Sequence, residues 1–274
     1  MTVRALVSEL QQIVGKGNVR HSTVDLQLYS YDAYLEERKP DAMVFVHSTE
    51  EVSGVVRACN KHGAPFVPRG GGTNLSGGTI AVKGGVVIEM IRMNRILEVD
   101  RANLRARVQP GMFNLEFGNA LAPLGYQYLP DPASQKAATL GGNVAENSGG
   151  PHCFKYGVTT NHVLGLTVVL PDGEVAKIGG KAPDVPGYDL PGVFVGSEGT
   201  FGIATEINVR LTPLPEGAET LLALFDHMED AGRAVSAIVA AGHEGHAELA
   251  AYLDDPGHLL SGVDEDHRVR ASLL

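Results

Sequence analysis

The sequence predicts an α+β fold with two packed parts, followed by the start of a further α/β unit, and three observations predict it. A strand, helix, strand pattern over residues 42 to 68 opens onto a glycine-rich loop. The middle of the chain is a succession of short β-type segments with turn chemistry between them. A proline pair, Pro213 and Pro215, then separates this stretch from one more strand and one more helix. With 274 residues, 43% of them hydrophobic, the chain can bury a full core.

Each element follows from its own residues. "MTVRALVSELQQIVG" places Leu6, Leu10, Ile13 and Val14 on one side of an amphipathic helix, and Glu9 interrupts any signal-peptide apolar core. Residues 42 to 47 read as a short buried strand. Ser48 or Thr49 caps the next helix, whose Val52, Val55, Val56 and Cys59 recur at helical spacing, and Gly63 ends it. Residues 65 to 68 deliver a second strand into the glycines. "GGVVIEM", "RILEVD" and "LRARVQPG" follow as strands, with "DRAN" as the hairpin turn between the last two. Residues 114 to 124 make a short helix, and residues 130 to 157, rich in Pro, Gly, Ser and Asn, read as a long loop. "HVLGLTVVLPDGEVAKIGG" is a strand, an Asp172-Gly173 turn and a returning strand, and "FGIATEINVRLTPLPE" is a strand closed by prolines. Beyond it, "ETLLALFDHMEDAGRAVSAIVAAG" supplies one strand and one helix, after which charge and histidine continue without periodicity. The expected domains are 1–215, divided into a small α/β part at about 38–90 and a larger β-rich part at about 91–215, and an incomplete or atypical domain at 216–274.

Composition removes several function classes. The balance of 22 Lys and Arg against 32 Asp and Glu gives a formal charge of −10, which repels phosphate backbones and anionic membranes, so no nucleic-acid partner is expected. No apolar run approaches the ~18 residues of a membrane span. Cys59 and Cys153 stand far apart without a Cys or His at metal spacing, which points to a reducing cytoplasm and to neither zinc nor a disulfide framework.

Chemistry concentrates in the glycines. In "VPRGGGTNLSGG" the dinucleotide pattern GxGxxG fails at Leu75, and the triphosphate pattern GxxxxGK[ST] fails at Gly78, which occupies the lysine position. What remains is a run of backbone N–H groups free of Cβ atoms, either an anion nest or a tight structural turn, with Arg69, Thr73, Asn74 and Ser76 adding donors at its edges. "YLPDPASQKAATLGGNVAENSGGPHCFKYG" and "GSEGTFGIATEI" bring further glycines together with little apolar side chain to order them, as a segment close to a large flat ligand would.

These three stretches, in this order and spacing over residues 20 to 215, resemble the FAD-linked oxidase family, whose FAD-binding domain is of the vanillyl-alcohol oxidase or p-cresol methylhydroxylase type. The similarity is greatest to the branch holding the flavin subunit of glycolate oxidase and the D-lactate and D-2-hydroxyglutarate dehydrogenases. The resemblance implies the two-subdomain FAD-binding fold of that type, then the start of an α/β cap domain. It implies a cofactor, FAD, whose diphosphate is wrapped by Arg69, Gly70, Gly71, Gly72, Thr73, Asn74, Leu75 and Ser76. Pro130, Asp131, Thr139, Gly141, Gly142, Ser148 and Gly149 would lie along the flavin and ribityl chain, and Gly196, Glu198, Gly202 and Ile203 near the cofactor. Thr73 and Asn74 stand where some relatives carry a tethering His, so the flavin is expected to be held without a covalent bond, and Cys153 is expected to be a small buried thiol.

The implied activity is hydride transfer from the Cα of a 2-hydroxy acid such as glycolate or D-lactate to FAD. The alternative is a non-catalytic FAD-binding module, or a truncated product, whose substrate site needs another chain. The family's cap carries a His-rich motif for metal and hydroxy acid that has no counterpart here, and "GHEGHAE" at 242 to 248 does not substitute for it. No metal site and no catalytic residue is therefore assigned. His152 and His162 flank the flavin segment and are expected to make structural hydrogen bonds.

Overall fold

The computed structural model describes residues 3–182, 187–215, 221–240 and 272–273. The apolar stripe of the first segment folds as α1 (Val3–Val14), with Leu6, Val7, Leu10 and Val14 buried. There follow β1 (Val19–Arg20), α2 (Thr23–Gln27), β2 (Ala42–Phe45), α3 (Thr49–His62), β3 (Phe66–Arg69) and β4 (Val86–Glu89). Ser48 caps α3 by accepting the Glu51 N–H at 3.2 Å, and Gly63 closes it in the left-handed region at φ 62°. The sheet runs β1-β2-β4-β3, its last three strands parallel and β1 antiparallel at the edge. Both faces are covered, which is why these strands read as continuous apolar runs. Ala42, Val44, Val86 and Ile88 join a core with α1 and α3, while Met43, Phe45 and Val87 turn to a second cluster with Leu26 and Ala81.

The small layer therefore includes α1 and β1, well before the expected start near residue 38. Leu6 and Leu10 share one cluster with Val52 and Val55 of α3. The period of α1 announces a buried face but not the surface that buries it.

The larger layer contains β5 (Ile96–Asp100), β6 (Arg105–Val108), α4 (Asn114–Leu121), β7 (Tyr126–Gln127), α5 (Leu140–Glu146), α6 (Cys153–Tyr156), β8 (Val163–Val169), β9 (Val175–Gly179), α7 (Leu190–Phe194), β10 (Ile203–Arg210) and β11 (Thr212–Pro213). Its antiparallel sheet has the order β5-β6-β10-β8-β9. Val108, Leu166, Val168, Ile207 and Val209 pack with Phe117 and Leu121 of α4 and with Leu140 and Val144 of α5. The two layers meet along α3. Val169 and Ile203 join its core, Thr49 Oγ1 donates to Thr205 Oγ1 at 2.9 Å, and Ser53 Oγ donates to the Gly173 carbonyl at 2.6 Å.

Residues 130 to 157 are not one long loop, for α5 and α6 lie within them. Thr139 caps α5 by accepting the Gly142 N–H at 3.2 Å, and Asn147 closes it at φ 50°. Gly141 lowers helix propensity, yet a Cβ there would lie 2.6 Å from Pro110 Cβ, so packing requires the residue that obscures the helix.

Backbone contacts divide the chain into Met1–Leu214 and Pro215–Leu274. The second unit contains β12 (Leu221–Leu222), α8 (Met228–Ala240) and β13 (Ser272–Leu273), with β12 antiparallel to β13. Ala231 of α8 is buried, while Leu224, Met228 and Val239 are exposed. His243, His246, His258 and His267 lie outside the described residues. Among the described residues, no helix is long and apolar enough to cross a membrane.

Candidate functional site

A cavity of about 320 Å³, within the usual range for small-molecule sites, lies in the first unit where the glycine loop after β3, the helix α5 and the 194–204 segment converge. Pro68 to Leu75, Gly78 and Thr79 form one wall. Ser134, Ala138, Thr139 and residues 141 to 146 form the facing wall, with Ser148 beyond them. Met90, Pro110, Phe194, Glu198, Gly199, Gly202, Ile203 and Ala204 complete it.

The glycines have a nearer reason than the ligand. A Cβ on Gly70 would lie 2.2 Å from Thr139 Oγ1, and one on Gly71 would lie 1.9 Å from the Ala137 carbonyl oxygen. Bare backbone thus lets the loop dock on the segment that enters α5, and this docking brings the two walls of the cavity together. Gly72 sits at φ 64°, where a Cβ would meet Arg69 Nη2 at 2.3 Å, so the guanidinium lies against the loop.

Arg69 is not an edge donor. It is buried, Nη1 donates to the Tyr31 carbonyl at 2.8 Å and to Thr79 Oγ1 at 3.1 Å, and Nε lies 3.7 Å from Glu89 Oε2. Burial pushes the Glu89 carboxyl up to about 7, against the pull of Arg69 and of the Ile91 and Met90 amides. Asn74 Nδ2 donates to Asp32 Oδ2 at 3.0 Å, and Thr79 Oγ1 donates to the same oxygen at 2.9 Å. Ser76 Oγ donates to the Glu146 carboxylate at 3.1 and 3.2 Å, which ties the loop tip to the end of α5. Burial raises the Glu146 carboxyl above its ordinary value; the Ser76 hydroxyl opposes this, and Glu198 and Asp32 add to it.

The structure brings Arg69, Gly70, Gly71, Gly72, Thr73, Asn74, Leu75, Thr139, Gly141, Gly142, Ser148, Glu198, Gly202 and Ile203 to one cavity. Ser76, Pro130, Asp131, Gly149 and Gly196 lie off its wall. Ser76 spends its hydroxyl on Glu146. The Pro130 carbonyl accepts from buried Asn114 at 2.8 Å, Asp131 holds His152 through Nδ1, and Gly149 backs onto Cys153. Gly196 at φ 84° donates its N–H to the Val144 carbonyl at 2.9 Å, which seats its loop on the end of α5. Cys153 is half-buried rather than buried and accepts the Gly150 N–H at 2.9 Å. His162 makes the expected structural bond, 3.1 Å from Nε2 to the Tyr156 carbonyl, and burial lowers its affinity for a second proton.

Asn143 and Glu146 are wall residues that motif reading passes over. Both lie inside "GGNVAEN", and counting from a cap at Thr139 places residues 139, 143 and 146 on one helical face. Recognising Thr139 and Asn147 as caps would have found them. Among the described residues, no group of three or more His, Cys, Asp or Glu is arranged to hold a metal ion.

Comparison with known proteins places the chain in a family. The family model described as "FAD binding domain" matches residues 40–179. The chain is 47% identical over 243 residues to glycolate oxidase subunit GlcD of Bacillus subtilis, covering 88% of the chain and 52% of that protein. It is 40% identical over 193 residues to D-lactate dehydrogenase of Anaerostipes hadrus, covering 70% of the chain and 40% of that protein. The solved structure of p-cresol methylhydroxylase with substrate bound superposes with a TM-score of 0.74 at 26% identity, over 86% of this chain and 48% of that one. The chain thus spans about half the length of the curated relatives it matches. The fold is the FAD-binding fold of the p-cresol methylhydroxylase type.

Proposed function

The chain belongs to the FAD-binding-domain family and FAD is its cofactor, and on that premise we propose that it is the flavin-holding part of an oxidoreductase acting on a 2-hydroxy acid such as glycolate or D-lactate. The observation that carries this reading is the cavity itself, one wall built of loop amides and another carrying Met90, Val144, Phe194 and Ile203. Such walls fit a ligand with an anionic middle and a flat apolar end. The amides of residues 70 to 75 would hold the diphosphate, and Thr139, Gly141, Gly142 and Ser148 would line the path toward the flavin. Gly202 and Ile203, both buried, would close the opposite side, with the exposed Glu198 at its rim. When bound, FAD supplies the hydride-accepting chemistry, and the protein orients it.

The described lining contains no His, Cys or Tyr, which supports a non-covalent hold. The relatives named as subunits support a partner chain, and a cytoplasmic location fits the charge and cysteine usage. Acid precipitation of the purified protein is expected to release all flavin to the supernatant. Fluorescence retained by the denatured pellet would overturn the non-covalent reading. Anaerobic addition of glycolate or D-lactate to the FAD-loaded protein in its natural complex is expected to bleach the flavin's visible absorbance. No bleaching by any 2-hydroxy acid would overturn the substrate class.

A further inference from the structure

We propose that Asn143 binds the cofactor directly, its side-chain amide donating to an oxygen of FAD where FAD crosses the glycine loop; this rests on the FAD reading of the same cavity. Asn143 stands on the cavity wall, is only 1% exposed, and its Nδ2 is buried without a hydrogen-bond partner. The main chain at this residue is satisfied. Its N–H donates to the Thr139 carbonyl at 2.9 Å, and its carbonyl accepts the Ser148 N–H at 3.0 Å. The buried atom without a partner is the side-chain donor Nδ2. Leaving such a donor unpaired is unfavourable, and a leucine of the same branched shape would avoid it.

Its neighbours locate the missing acceptor. One turn before it, Thr139 Oγ1 lies under Gly70; one turn after it, Glu146 is bonded to Ser76. Asn143 is thus bracketed against the loop between residues 70 and 76. Diphosphate and sugar-alcohol oxygens, proposed to follow that loop, are rich in acceptors, and an amide is a donor that carries no charge of its own.

The test titrates FAD into the full-length apoprotein, wild type, Asn143→Leu and Asn143→Asp, by quenching of flavin fluorescence, alongside thermal melting of each apoprotein. Asn143→Leu is expected to weaken FAD binding about tenfold, the loss of one hydrogen bond to a charged or strongly polar acceptor. Its apoprotein is expected to melt no lower than wild type, because an unsatisfied donor has been removed. Asn143→Asp is expected to bind poorly at high pH and to recover more steeply than wild type as the pH falls, since the protonated carboxyl regains an O–H donor. This second variant decides the question if the leucine variant does not fold. FAD affinity of Asn143→Leu within about twofold of wild type, or an Asn143→Asp profile parallel to wild type, would overturn the assignment. Failure of wild type itself to bind FAD would instead overturn the cofactor reading, and the assignment with it.

Discussion

At Gly71 any other residue would collide with the protein's own backbone, since its Cβ would lie 1.9 Å from the Ala137 carbonyl oxygen. Gly71→Ala is therefore expected to destabilise the apoprotein by about 1–3 kcal/mol and to abolish FAD binding, because the loop must lift off the segment it docks on. Asn74→Ala removes bonds to Asp32 and Ser76 at the loop's edge and is expected only to weaken FAD binding. Equal FAD affinity for wild type and Gly71→Ala would show that the docked loop is not the binding surface. Glu146 supplies a second prediction at this scale. Burial, Glu198 and Asp32 already raise its carboxyl, and an anionic ligand on the same wall raises it further, so FAD binding is expected to take up protons and to weaken as pH rises. Calorimetric titration in buffers of different ionisation enthalpy measures the uptake, and Glu146→Gln is expected to reduce it.

Between elements, the decisive contacts are those of α1 and α5. Leu10 is fully buried in the cluster that α1 shares with α3, so Leu10→Ala is expected to cost about 2–5 kcal/mol by chemical denaturation. A loss under about 1 kcal/mol would mean that α1 is an appendage and not part of the small layer. α3 was legible because its cap, its valine spacing and its terminal glycine all agree. α5 was not, because Gly141 and Gly142 lower propensity while packing demands Gly141. Asn143 and Glu146 are hidden in the sequence with it, although the glycine loop they face is evident there.

For the molecule as a whole, Glu89 couples stability to pH. Its folded carboxyl holds a proton up to about pH 7, whereas a carboxyl at the ordinary value of 4.5 has lost it. Between these values the folded state binds more protons, so this contribution is present in full below pH 4.5 and is lost as the pH rises through about 7. The change is on the order of 3 kcal/mol, and Glu89→Gln is expected to flatten it in denaturation midpoints measured at acidic and alkaline pH. A midpoint for wild type that does not fall over this range would show that Arg69 outweighs burial. FAD, binding only the folded state, is expected to raise the melting temperature with its concentration.

Local chemistry in the sequence determined the α+β class, the order of most strands, the caps of α3 and the three glycine-rich stretches that carry the family resemblance. Spacing along the chain suffices for these, because periodicity, capping and turn propensity act over a few residues. Tertiary structure alone decided that α1 belongs to the small layer and that Arg69 turns inward to Tyr31, Thr79 and Glu89. It also decided that Gly70 and Gly71 are bare because Thr139 and Ala137 press on them, and that Ser76, Pro130, Asp131, Gly149 and Gly196 support the cavity from off its wall. Those outcomes depend on which atoms meet across ten to some seventy residues of chain. A buried donor such as Asn143 Nδ2 is unsatisfied only once every neighbour is in place.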